Sequence, residues 1–275
     1  MKNMEYKLIC TDIDGTLLND EKKLPLRAKQ SLQAAVESGI AIALVSGRMP
    51  SGVNLVEKEL GISCIKVCNA GTCIFVGETC MQAEYLSNET MRRLYRTIAK
   101  TYRIPLWIFR NQEWFVTGWD DYIEKETGFV AYHPRIVDAD ALADQWDREG
   151  KSPNKLLFAA PSEVIQNICQ EITVQKDMEI DTAKSADIFL EIFPKGVSKG
   201  TALKQICKLL RIQPEETIAF GDHELDIPLI EAAGMGVAMG NGISALKEKA
   251  DLITGTNNEA GIADALEKIL EKGEL

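Results

Sequence analysis

The run IAIALV, residues 40–45, is apolar at every position. A strand with one wet face alternates apolar and polar residues, so an unbroken run asks for cover on both faces, as in a parallel sheet flanked by helices. The surrounding sequence supplies those helices. YKLIC (6–10) reads as a strand, and 25–38 as a helix opened by Pro25 and closed by Gly39. Residues 51–60 read as a second helix ended by Gly61, followed by strands CIKVC and CIFV around a short NAG turn. The C-terminal third repeats the theme. Helix 198–211, strand TIAFG (217–221), helix 224–233, strand GVAM (236–239), helix 243–249, strand LIT and a last helix near 258–271 follow one another. Such βαβ alternation predicts an α/β, Rossmann-like core domain built on a mostly parallel sheet.

The middle of the chain follows a different pattern. Helix 88–102, a hairpin formed by IPLWIFR and EWFVTGW, a helix near 138–149, strand KLLFAA, helix 162–175 and two strands near 178–182 and 187–193 make a separate α+β unit. All four tryptophans lie in it. The expected organisation is a core from 1–83 and 195–275 with a large inserted cap from 84–194. Trp107, Trp114, Trp119 and Phe115 would either pack the cap or form a wall for a sugar or planar ring.

Composition narrows the partners. The 275 residues carry a net charge of −10, which argues against binding nucleic acid or an anionic membrane surface. No apolar run is long enough to span a bilayer, and MKNMEYKLIC has no secretory apolar region. The seven cysteines then read as reduced thiols in a cytoplasmic protein. Cys64, Cys68, Cys73 and Cys80 lie close in sequence but form no C-x-x-C pair, which favours small core residues over a zinc site. The expectation is a monomer or weak homodimer.

In open parallel sheets, ligands gather beyond the carboxyl ends of the strands. Asp12 and Asp14 follow the first strand, Ser46-Gly47-Arg48 follow IAIALV, and Asp222 follows TIAFG. Asp226 is four residues on, and Lys199 opens the helix after the inserted unit. Two carboxylates about 5 Å apart at an effective dielectric near 20 repel by roughly 3 kcal/mol, so the paired aspartates call for a compensating charge. A carboxylate cluster without histidine or thiolate suits a hard cation such as Mg²⁺, with Lys199, Ser46 and the Gly47 amide left for phosphoryl oxygens. Taken singly, each motif also has a plain reading as a turn or helix cap.

The ordered set Asp12-x-Asp14-Gly15-Thr16, Ser46, Lys199 and Gly221-Asp222-x3-Asp226 resembles the haloacid dehalogenase-like phosphatases. DIDGTLLND, VSGR, VCNAG, GVSKG, GDHELD, GVAMGNG and TNNEAGIADAL are similar to the Cof-type subfamily. That resemblance implies Asp12 as nucleophile, Asp14 as acid and base, Ser46 with Gly47 as phosphate-binding loop, and Lys199 as the cation holding phosphate and Asp12. It implies Mg²⁺ on the Asp12 side chain, the Asp14 main-chain carbonyl and Asp222, with Asp226 acting mainly through water or from behind. Arg48, Asn69 and Asn241 are substrate-side candidates. Arg48 would otherwise pair with an acid, and the two asparagines would otherwise serve as turn residues. The implied activity is hydrolysis of small phosphorylated metabolites, sugar phosphates first. The alternatives are a phosphotransferase or mutase, and a catalytically weak ligand-binding protein. Two departures stand out: Leu225 replaces the family's usual Asn before the last aspartate, and CNAG replaces an Asn-Gly-Ala order.

Overall fold

The computed structural model describes residues 6–130, 132–174 and 178–271. Its first half-core runs β1 (Leu8–Thr11), α1 (Leu26–Glu37), β2 (Ala41–Val45), α2 (Pro50–Leu60), β3 (Ile65–Cys68), β4 (Cys73–Val76) and β5 (Thr79–Ala83). The inserted cap follows. Helix α3 (Asn88–Leu94) passes through a π-helical turn, Tyr95–Ala99, into α4 (Lys100–Tyr102). Then come β6 (Leu106–Arg110), β7 (Glu113–Val116), α5 (Asp121–Val130), β8 (Arg135–Ile136), α6 (Ala139–Glu149), β9 (Lys155–Ala159), α7 (Ser162–Val174), β10 (Ile180–Ala186) and β11 (Phe189–Pro194). The chain returns through α8 (Lys199–Leu210), β12 (Thr217–Gly221), α9 (Ile227–Ala232), β13 (Met235–Ala238), α10 (Ser244–Lys247), β14 (Leu252–Ile253) and α11 (Gly261–Leu266).

Among the described residues the core sheet has the order β14-β13-β12-β1-β2-β3-β4-β5. It is parallel from β14 to β3, with β4 and β5 added antiparallel at one edge. Alternate residues of the central strands feed two cores. Ile9, Ile42, Leu44, Ile218 and Phe220 pack with Leu32 of α1 and Val53 and Val56 of α2. Leu8, Cys10, Ala43, Val45 and Ala219 pack with Leu203 and Ile206 of α8 and Leu229 and Ile230 of α9. Burial on both faces is what the unbroken apolar run at 40–45 requires. Strands β12, β1 and β2 are neighbours, so their carboxyl ends lie side by side.

The cap sheet, β10-β11-β9-β6-β7-β8, is also two-faced. Leu106, Ile108, Phe115, Leu156, Phe158, Leu190 and Ile192 pack beneath α3, α6 and α7. Trp107, Phe109, Trp114, Leu157 and Ala159 lie on the opposite face and cluster with Met49 of the core. The cap therefore turns an aromatic face toward the rim that carries the conspicuous polar residues.

Most expected elements are present, with local differences. The sequence reading has no element over 121–130, where the structure has α5. Asp120 caps it, its carboxylate accepting the Ile123 N–H at 2.8 Å, although Gly128 and a scattered apolar pattern obscure the helix. The expected helix 224–233 begins instead as a tight turn at Glu224–Asp226, with α9 starting at Ile227 just before Pro228. All seven cysteines are free thiols; Cys10, Cys64, Cys68, Cys73 and Cys207 are buried. Among the described residues no helix is long and apolar enough to cross a membrane.

Helix α8 has the most explicit start. The Ser198 hydroxyl accepts the Thr201 N–H at 3.1 Å, and Thr201 Oγ1 accepts the Ser198 N–H at 2.9 Å, a reciprocal cap that sets Lys199 in the first turn. Ser198→Ala should cost about 1 kcal/mol of stability in a denaturant titration, and Ser198→Asn should recover most of it. Equal stability of Ser198→Ala and wild type would show that this cap does not set the helix start.

Candidate active site

Asp12, Asp222 and Lys199 meet beyond the carboxyl ends of β1 and β12. Lys199 is 3% exposed and donates to Asp12 Oδ1 at 2.6 Å and to Asp226 Oδ1 at 2.5 Å. Burial works to lower the lysine's pKa, but the adjacent charges of Asp12 and Asp226 outweigh it and keep the ammonium protonated. Asp226 spends its other oxygen on the backbone, accepting the N–H groups of Asp222 and His223 at 3.0 Å each. It thus ties Lys199 to the loop that carries Asp222. Thr16 donates to Asp222 Oδ1 at 2.6 Å.

Gly15 makes that meeting possible. Its φ of +84° suits a residue without a Cβ, and a Cβ there would lie 2.4 Å from Asp222 Oδ2. The turn after the DID segment therefore both bends the chain and clears room for the partner carboxylate.

Asp12, Asp222 and Asp226 each bring one carboxylate oxygen within 4.8 Å of the others. Burial is the largest influence raising the pKa of Asp12, and Asp226, Asp222 and Asp14 add to it against Lys199. Burial, then Asp226, pushes Asp222 up to about 6. Lys199 pairs with Asp12 and Asp226, so full ionisation of the three carboxylates leaves an excess of two negative charges against one ammonium in a largely buried site. Hard oxygen donors without imidazole or thiolate suit a divalent cation of the Mg²⁺ type.

Asp14 is placed otherwise. Arg48 grips it with two bonds, Nε to Oδ2 and Nη2 to Oδ1, both 2.7 Å, and Lys22 adds a third at 2.7 Å. Burial tends to raise the Asp14 pKa, but the bonds and charge of Arg48, helped by Lys22, hold it below the usual carboxylate value. Arg48 is thus an acid-pairing residue in this structure. Ser46 is 2% exposed and its Oγ accepts the Arg48 N–H at 3.1 Å.

Most of these groups, though not Asp222 or Thr16, floor a cavity of about 320 Å³ between core and cap. Asp12, Asp14, Ser46, Gly47, Arg48, Lys199 and Asp226 contribute from the core. So do His223 and Leu225, which places the unusual leucine at the cavity wall. The cap contributes Trp107, Phe109, Trp114, Leu157 and Phe189, together with the charged Glu126, Lys155 and Glu191. Sequence reasoning found the two tryptophans but missed the three charged residues, which sit in ordinary strand and helix sequence with no motif around them.

The remaining candidates lie elsewhere. Trp119 is 45% exposed and bonds Glu124, while Phe115 faces the helices and meets Trp146 edge-on at 5.4 Å. Asn69 is buried with φ +51° and reaches the Asn111 carbonyl at 3.3 Å, a turn and a core-to-cap link. Asn241 donates to the Gly15 carbonyl at 2.7 Å and accepts the Asn257 N–H at 3.0 Å, bracing the first loop from behind. Neither asparagine lines the cavity.

Known proteins are similar to this chain along nearly its full length. A putative phosphatase, YxeH, of Bacillus subtilis is 28% identical over 274 residues, covering 96% of this chain and 98% of its own length. The 5-amino-6-(5-phospho-D-ribitylamino)uracil phosphatase YcsE of the same organism is 27% identical, covering 96% of each chain. The crystal structure of a haloacid dehalogenase-like hydrolase from Bacteroides thetaiotaomicron superposes with a TM-score of 0.85 at 30% identity, covering 97% of this chain and 100% of the other. The model of the haloacid dehalogenase-like hydrolase family matches residues 9–266, and with the carboxylate cluster on this fold it makes the chain an enzyme of that family.

Proposed function

We propose that this chain is a Mg²⁺-dependent phosphomonoesterase of the Cof type, acting on small phosphorylated metabolites through an aspartyl-phosphate on Asp12. The observation that carries this reading is the buried Asp12 carboxylate, held by Lys199 at 2.6 Å on the cavity floor beside Ser46. Residues 84–194 are taken as the cap and the remainder as the catalytic core.

In this scheme an Asp12 oxygen bonds to phosphorus as the ester oxygen leaves, and Asp14 gives that oxygen its proton. Water then attacks phosphorus, Asp14 takes its proton, and the bond to Asp12 breaks to release inorganic phosphate. Ser46 and the Gly47 amide hold phosphoryl oxygens, and Lys199 keeps Asp12 oriented while countering the charge on the transferred group. The Asp12 side chain, the Asp14 carbonyl and Asp222 would hold Mg²⁺, with Asp226 behind them on Lys199 and the loop amides. When bound, the ion supplies the positive charge that three carboxylates and a phosphate together demand.

The aromatic cap face supports a leaving group with an apolar side. A sugar ring offers one through its C–H bonds while presenting hydroxyls at its edge. Glu191 lines that face with its Oε2 ion-paired to Lys155 at 3.1 Å, and a carboxylate there has lone pairs left to accept one of those hydroxyls. Sugar phosphates are therefore the first class to test.

Phosphate release from a panel of sugar and other metabolite monophosphates is the direct test. Wild type with Mg²⁺ should hydrolyse a subset, EDTA should abolish release, and Asp12→Asn should lower it on the order of 10³-fold or more. Wild-type rates in Asp12→Asn would rule out the nucleophile, and free phosphate missing in favour of a phosphorylated sugar acceptor would point to transfer.

The Arg48 grip on Asp14 gives a pH signature. The first half-reaction needs Asp14 protonated, so the alkaline limb of kcat/KM follows the Asp14 pKa. Arg48 holds that pKa down, so Arg48→Gln should raise it and move the alkaline limb to higher pH. A limb that stays in place would show that Asp14 does not supply the proton.

A further inference from the structure

Lys155 is a buried cation that the scheme above does not use. It opens β9, and the register pairs Leu157, two residues on along the same face, with Glu191 of β11. Lys155 and Glu191 are thus diagonal neighbours on the cap's core-facing side. Both are nearly fully buried, their charged atoms are 3.1 Å apart, and the ammonium lies 4.6 Å above the Phe109 ring.

The ammonium also crosses to the core, donating to the Gly47 carbonyl at 2.6 Å. The N–H of that same peptide belongs to Arg48 and donates to Ser46 Oγ at 3.1 Å. One peptide plane of the loop is therefore held at one end by the cap's lysine and at the other by the Ser46 hydroxyl. The loop is anchored on either side by Ser46 N–H to Val67 O at 2.9 Å and Asn69 N–H to Arg48 O at 2.9 Å. Glu191 completes the fit. A Cβ on residue 47 would lie 2.9 Å from Glu191 Oε1, so a glycine there lets the ion pair settle onto the loop.

We propose that Lys155 is a positioning residue which, seated by Glu191, sets the Gly47–Arg48 peptide when the cap docks. The phosphate loop then takes its binding geometry, and Arg48 its approach to Asp14, only with the cap in place. This rests on the assignment of Ser46 and Gly47 as the phosphate-binding loop.

Removing Lys155 alone would leave Glu191 buried and unpaired, which can unfold the cap for reasons unrelated to the loop. The informative variant is Lys155→Met/Glu191→Gln, with Lys155→Arg as the conservative partner. Orthovanadate is the probe, since it occupies a phosphate site and has no leaving group. Its affinity is measured by calorimetry with Mg²⁺ present, alongside melting temperature. The double variant should melt near wild type yet bind vanadate roughly 10-fold more weakly or worse, as expected for a lost hydrogen bond from a charged donor. Lys155→Arg, which can still donate to Gly47 O, should recover most of the affinity. Wild-type vanadate affinity in the double variant would overturn the proposal, as would a loss confined to KM for substrates with bulky leaving groups. A failed phosphatase reading is seen separately, as wild type releasing no phosphate, because the vanadate ratio between variants needs no turnover.

Discussion

The ammonium of Lys199, shared between Asp12 and Asp226, is the contact on which the site is built. It joins the end of β1, 187 residues away, to the start of α8 and the turn after β12, which lie 27 residues apart. Its burial between two carboxylates is tolerable because each charge has a partner, and because Asp226 spends its second oxygen on backbone N–H groups. Even so, the cluster keeps an excess of negative charge. A site made this way is stable as a receptor for positive charge, and for a phosphoryl group that arrives with it.

The core supplies that receptor, and the cap supplies its roof. The two faces of the cap sheet divide the labour: one is sealed by helices, the other presents aromatic rings and one ion pair to the cavity. In the proposed reaction the reacting end of a substrate would lie among the charges and the leaving group among the rings. Expulsion of water from the space between them strengthens every charged contact on the floor.

Much of this was legible in the sequence. The apolar run at 40–45 called for a doubly covered parallel sheet, and the polar residues after β1, β2 and β12 converge because those strands are neighbours. Lys199 reaches Asp12, the contact that the resemblance implied, and it also reaches Asp226, a pairing that the motif order did not indicate. What could not be read was contact between distant segments without motif. Nothing in KLLFAA marks Lys155 as a cap residue that reaches the Gly47 carbonyl, since a lysine opening a strand is ordinarily solvated. Arg48 had two readings because sequence alone does not show which acid lies within reach. Helix α5 was missed because its capping aspartate is followed by an irregular apolar pattern, and packing on the cap outweighs that weak local preference. Trp119 shares its hairpin with Trp107 and Trp114 but falls beyond the strand, where the alternation that buries the others no longer applies.

Covalent capture of phosphate by Asp12 is the step on which the proposed activity depends. Enzyme mixed with a turned-over monophosphate, quenched and treated with borohydride should carry homoserine at position 12, since hydride reduces an acyl phosphate but not a free carboxylate. Homoserine at position 12, and its absence when substrate is omitted, is the expected result. An unmodified Asp12 under conditions of active phosphate release would contradict the mechanism.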